Sequence, residues 1–69
     1  MDIRVRIGTR IKEVRDKQGM SQKDLSYAAD LDRSYIASVE NGQRNISIIN
    51  LEKIAKALKI GLGELFESI

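Results

Sequence analysis

Apolar residues in this 69-residue chain recur at helical spacing. Ile7, Ile11 and Val14 follow i, i+4, i+7 and predict a helix from about Ile3 to Gln18. Lys17 and Gln18 fall in its last turn, and Gly19 supplies the left-handed residue that ends it. A second helix starts at the N-cap Ser21, with Asp24 three positions on as a short capping-box partner. Leu25, Ala28 and Ala29 are its expected buried residues, and it stops near Asp30. Asp32 caps a third helix, from about Arg33 to Asn41, which Gly42 terminates. The fourth follows Ser47 and turns Ile48, Leu51, Ile54, Ala55 and Leu58 inward over three turns. The fifth is short, from about Leu62 to Glu67. Gly61 and Gly63 punctuate the approach to it. No stretch alternates at strand period, and the sequence holds no Pro and no internal repeat. Five short helices joined by short loops describe a compact all-α domain spanning residues 1–69.

Composition narrows the chemistry. The chain has no Cys and no His, so it has no disulfide and lacks the side chains from which most metal sites and nucleophile–base pairs are built. No enzyme activity, cofactor or metal is expected. Asp30 and Asp32 are the nearest thing to a carboxylate pair, and turn and cap roles account for both. Twelve basic and ten acidic residues leave a formal charge of +2. That is too small to argue for nucleic acid by itself, so the placement of the charges has to carry any such claim. Asp2 follows Met1 with no apolar segment behind it, so no signal peptide is expected. The apolar runs fall far short of the ~20 residues a membrane span needs. A cytoplasmic protein without a membrane partner is the expectation. A chain of this length buries only about 60% of its unfolded surface, so a second subunit would help it.

The third helix is the unusual one. With Arg33 at 0° and about 100° per residue, Ala37, Asn41, Ser34 and Ser38 fall within about 140° of it. Tyr35, Val39 and Ile36 fall on the opposite arc, which packs inward. The outer arc is thus small and polar, with one long cation at the helix start. Solvated faces are usually rich in Glu and Lys, and this arc has neither, although Glu40 lies at its flank. Small residues let a partner approach the backbone, and Arg, Ser and Asn hydrogen-bond base edges and phosphates. The wheel alone leaves a solvated face and a binding face both open. The preceding segment SQKDLSYAAD, joined to LDRSYIASVEN by a tight turn, has the proportions of a helix-turn-helix. In that motif the second helix enters the major groove.

The segment MSQKDLSYAADLDRSYIASVENGQRNIS resembles the core of the Cro/C1-type (XRE-like) phage repressor superfamily. Its most specific elements are Ser21-Gln22, Ile36 and Glu40-Asn41-Gly42, and the likeness covers about Val5 to Phe66. Within the superfamily, LDRSYIASVENGQRNISIINLEKIAKAL is most similar to the controller proteins of restriction–modification systems. The resemblance implies a five-helix lambda-repressor-like DNA-binding domain. Its helix-turn-helix would span about 21–41, and residues 47–69 would serve the core and dimerisation. It implies a homodimeric, sequence-specific transcriptional regulator on palindromic operators, controlling its own gene and that of an endonuclease. Double-stranded DNA, a second copy of the chain and RNA polymerase are the implied partners. A phage-type repressor, an antitoxin-like regulator and a protein-interaction module without DNA binding are the alternatives. Gene neighbourhood separates the first two from a controller, and the absence of salt-dependent DNA binding would mark the third.

The helical wheel assigns the base-reading residues and Tyr35, and the resemblance adds Gln22, the loop after the third helix and the Arg15–Glu40 pair. Arg33 is the expected guanine reader, Ser34 and Ser38 follow it along the groove, and Ala37 suits a thymine methyl. Gln22, Tyr35, Asn41, Gln43, Arg44 and Asn45 are the expected phosphate contacts. Arg15 and Glu40 occupy the family's structural salt-bridge positions. Ile49, with Leu62, Leu65, Phe66 and Ile69, is the expected dimer patch. Two positions depart from the family pattern. Ser26 stands where Ala is favoured and can bond a preceding carbonyl. Asp30 stands where Gly is frequent, at a turn position that calls for positive φ.

Overall fold

The computed structural model describes residues 2–67. It contains helices α1 (Ile3–Lys17), α2 (Gln22–Ala29), α3 (Arg33–Glu40), α4 (Ile48–Ala57) and α5 (Leu62–Leu65), with no strand among the described residues. Among the described residues no helix is long and apolar enough to cross a membrane.

The helices begin as the capping residues dictate. Asp2 accepts from the Arg4 N–H at 2.8 Å. Ser21 accepts from Asp24 N–H and Asp24 from Ser21 N–H, each at 2.9 Å, a complete capping box. Ser47 accepts from Asn50 N–H at 3.1 Å. Asp32 holds the N-cap position of α3 with extended backbone, but its side chain makes no capping bond.

Four helices end in one way. Met20 N–H returns to Arg15 O, Leu31 to Ser26 O, Gln43 to Ser38 O and Ile60 to Ala55 O, at 2.9–3.1 Å. This is the 6→1 bond of a Schellman turn, and it requires a left-handed residue just before the donor. Gly19, Asp30, Gly42 and Lys59 fill that position, with φ of 69°, 57°, 75° and 61°. Asp30 therefore adopts the positive φ its turn calls for. Lys59 carries no such sign in the sequence, and Gly61, two positions on, is extended and caps the start of α5.

Ile7, Ile11, Leu25, Ile36, Val39, Leu51, Ile54, Leu58 and Leu65 make the core. α3 packs against α1 and α2, α2 also against α4, and α4 against α5. Gly8 sets the depth of the first contact, since a Cβ there would lie 2.3 Å from Val39 O on α3. Gly42 is fixed twice, by its positive φ and by Val5, whose Cγ2 would sit 2.7 Å from an added Cβ. Longer α1 side chains reach the far end of the bundle. Gln18 donates to Leu58 O at 2.6 Å, and Arg10 donates to Leu65 O and Glu64 O at 3.1 and 2.9 Å. These bonds satisfy carbonyls that helix ends leave open.

Two burial expectations and one helix end change. Ala28 is exposed, and Ser26 takes the buried place beside Leu25 and Ala29, its hydroxyl donating to Lys23 O at 2.7 Å. Ile48, expected in the core, is 66% exposed, because it is the first residue of α4 and α4 packs inward from Leu51 on. α5 ends at Leu65, with Phe66 as its cap, earlier than the apolar pattern implied.

Candidate nucleic-acid interface

The scaffold beneath α3 is a buried ion pair. Arg15 Nε donates to Glu40 Oε2 at 2.7 Å and Nη2 to Oε1 at 3.0 Å, a two-bond fork between side chains 8% and 2% exposed. Arg15 Nη1 also donates to Met20 O at 2.7 Å. The hydrogen bonds to Glu40 push the Arg15 pKa up, so the cation is fixed. The pair thus joins the last turn of α1 to the last turn of α3. Gln22 adds a third donor to Glu40 Oε1 at 3.1 Å, from the first turn of α2. Gln22, an expected phosphate contact, therefore faces inward. Its half-buried amide already spends one N–H on Glu40, leaving the other for any outward bond. Every buried side-chain N or O atom among the described residues has a hydrogen-bond partner.

α3 turns Ile36 and Val39 into the core and leaves Arg33 and Ser34 exposed, with Ala37 and Ser38 half-buried. Arg33 has no hydrogen bond or ion pair among the described residues, so its planar fork is available for a guanine edge. Ser38 is more committed. Its hydroxyl donates to Tyr35 O at 2.9 Å and accepts from Arg44 Nε at 3.2 Å. As it stands, Ser38 can offer a partner only a lone pair.

The loop after α3 folds back along this edge. Gly42 turns the chain, and Gln43 N–H closes onto Ser38 O at 2.9 Å. Arg44 then lies over the Tyr35 ring, 5.1 Å from guanidinium carbon to ring centroid. Tyr35 is half-buried, its ring packed on the core edge. Its hydroxyl accepts from Asn50 Nδ2 at 3.0 Å. Ser38, Arg44, Tyr35 and Asn50 thus form one chain of contacts from α3 through the loop to α4. Asn41, Gln43 and Asn45 are exposed beside it. Nothing in the sequence marks Asn50, because its partner Tyr35 lies fifteen positions away on another helix.

A helix-turn-helix family profile matches residues 11–65. The chain belongs to the helix-turn-helix family. It is 48% identical to control protein C.MunI of Mycoplasma sp. over 69 residues, covering 99% of this chain and 93% of that one. The restriction–modification controller C.AhdI from Aeromonas hydrophila superposes with a TM-score of 0.89 at 48% identity, covering 91% of this chain and 96% of that one. The controller C.Esp1396I, solved as a tetramer on its natural 35-base-pair operator, superposes with a TM-score of 0.91 at 37% identity, covering 97% and 88%. Within this helix-turn-helix protein, the Ser38–Arg44–Tyr35 contacts line the outer edge of α3 and the loop that follows it.

The expected dimer patch divides in two. Ile49 is 67% exposed, Phe66 is 37% exposed and Leu62 is half-buried. Leu65 is fully buried within the protomer against the α4 core, so it is a core residue and not an interface one. Phe66 instead borders an open apolar pocket with Ile3, Ile7, Ile46 and Leu51. Ile69 lies outside the described residues.

Proposed function

We infer that this protein is a sequence-specific transcriptional regulator that binds double-stranded DNA as a homodimer, and that it is the controller of a restriction–modification system. The observation that carries this reading is the outer edge of α3. A free Arg33, small Ser34 and Ala37, and a Ser38 pre-bonded to Arg44 face outward on a helix whose inner side is locked by the Arg15–Glu40 pair. The near-full-length likeness to control protein C.MunI supports the controller assignment.

Arg33 reads a guanine, with Ser34, Ala37 and Ser38 on neighbouring bases. Tyr35, Asn41, Gln43, Arg44 and Asn45 hold the phosphates beside the groove, and the spare N–H of Gln22 joins them. Ile49, Leu62 and Phe66 pair two protomers, so that two α3 helices lie about 34 Å apart on one DNA face. Occupancy then follows protein concentration, with the protein's own gene and an endonuclease gene as targets in the bacterial cytoplasm. RNA polymerase is contacted or blocked at the promoter according to where the dimer sits.

Selection of binding sites from random duplexes tests the reading. A symmetric site should emerge, and its affinity should fall linearly with log salt as neutralised phosphates release counterions. Absence of any enriched symmetric site would leave the protein-interaction alternative.

A further inference from the structure

Asn50 lies outside the helix-turn-helix, in the first turn of α4. Its backbone N–H is satisfied by Ser47 Oγ, so its side chain is not needed for the cap. That side chain instead crosses to α3, where Nδ2 donates to the Tyr35 hydroxyl at 3.0 Å. A phenol has one proton to give and lone pairs with which to receive. With Asn50 on the accepting side, the Tyr35 proton is left to point elsewhere. The ring cannot turn freely to compensate, because it packs on the core edge on one side and under the Arg44 guanidinium on the other.

We propose that Asn50 is a positioning residue for DNA binding: its amide fixes the polarity of the Tyr35 hydroxyl, which then meets the DNA backbone only as a donor. That is the sense a phosphate oxygen, an acceptor without a proton at neutral pH, requires. The inference rests on the reading of Tyr35 as a phosphate ligand given above. It assigns a function to a residue on α4, outside α2 and α3.

The test is a double-mutant cycle on operator affinity at fixed salt, using the parent, Tyr35→Phe, Asn50→Asp and the double variant. Asp keeps the size of Asn, and a carboxylate in the first turn suits the helix dipole, so α4 is retained. It can still bridge to the Tyr35 hydroxyl, but only by accepting, which turns the proton inward. Tyr35→Phe should weaken binding about tenfold or more per half-site, the factor for a hydrogen bond to a charged group. Asn50→Asp should weaken the parent by that factor in addition to the repulsion between its charge and DNA. In the Tyr35→Phe background only the repulsion remains, so its effect there should be about tenfold smaller. A purely structural tie between α3 and α4 is preserved by the carboxylate and yields no such coupling. Equal losses in both backgrounds overturn the role of Asn50 and leave Tyr35 a ligand. A Tyr35→Phe protein that binds like the parent overturns the phosphate reading, and the proposal with it. Thermal unfolding of all four proteins checks the fold. Asn50→Ala, which can neither donate nor repel, should give a smaller loss in the parent and none in the Tyr35→Phe background.

Discussion

Removing the Glu40 carboxylate tests the scaffold that holds the recognition helix. In Glu40→Ala, Arg15 loses both bonds of its fork, and Gln22 loses the acceptor for its amide. The guanidinium stays buried at 8% side-chain exposure, with Met20 O and the outer Asp16 carboxylate as its remaining partners. Stranding one charge of a buried pair costs about 3–5 kcal/mol. A domain of this size has a total stability of about 4–10 kcal/mol, so the loss is a large part of it. At about 4–8 °C per kcal/mol, the thermal midpoint should fall by about 12–40 °C. Urea unfolding followed by far-UV circular dichroism, at one protein concentration for all variants, reads the change directly. Replacing both partners by apolar residues, as in Arg15→Met with Glu40→Leu, removes the stranded charge and should recover most of the loss. An unchanged urea midpoint for Glu40→Ala would refute the reasoning. So would a double variant as unstable as the single one, because the penalty would then not be electrostatic.

Further expectations follow from named contacts. Lys59 adopts φ of 61° where glycine has no steric cost, so Lys59→Gly should raise stability by about 1 kcal/mol in the same urea assay. Gly42→Ala should lower stability by more than about 1–2 kcal/mol, since it adds the left-handed backbone cost to a clash with Val5. Arg4 hydrogen bonds hold the Asp2 carboxyl down to about 2, against an ordinary value of 3.8, and the Ser21 N–H lowers that of Asp24. Both folded pKa values are depressed, so each cap contributes above the ordinary carboxylate value and is lost as pH falls through its depressed one, which for Asp2 is about 2. An NMR titration placing the Asp2 midpoint at 3.8 would contradict the α1 cap. Ile49→Glu should convert dimer to monomer in gel filtration without altering the monomer's helicity, and an unchanged dimer would remove Ile49 from the interface.

Much of this architecture was legible because the signals were local. Ser21 with Asp24, Gly19 and Gly42 each state a helix boundary within a few residues, and Ile7, Ile11, Leu51, Ile54 and Leu58 repeat at helical period. The outer arc of α3 was likewise readable, since a helix short of Glu and Lys on its exposed side has to be explained. What escaped the sequence depended on contacts between distant segments. Ile48 fits the period of α4, but it lies at the helix start, where nothing covers it. Leu65 shares an apolar run with Phe66, yet one side chain fills the core and the other borders a surface pocket. Gln22 faces Glu40, eighteen positions on, and Asn50 faces Tyr35, fifteen positions back. No spacing rule joins residues on different helices, so the Asn50–Tyr35–Arg44–Ser38 chain emerged only once α3, its loop and α4 were in place.

The central claim is that the α3 edge reads a symmetric DNA site. Footprinting across the DNA upstream of the protein's own gene, with the parent and Arg33→Ala, tests it most directly. The parent should protect a symmetric site at concentrations of micromolar or below. Arg33→Ala should lose that protection by about tenfold or more in concentration per half-site, as one bidentate guanine contact implies. No protected symmetric site near micromolar protein, or equal protection by the two proteins, would contradict the account.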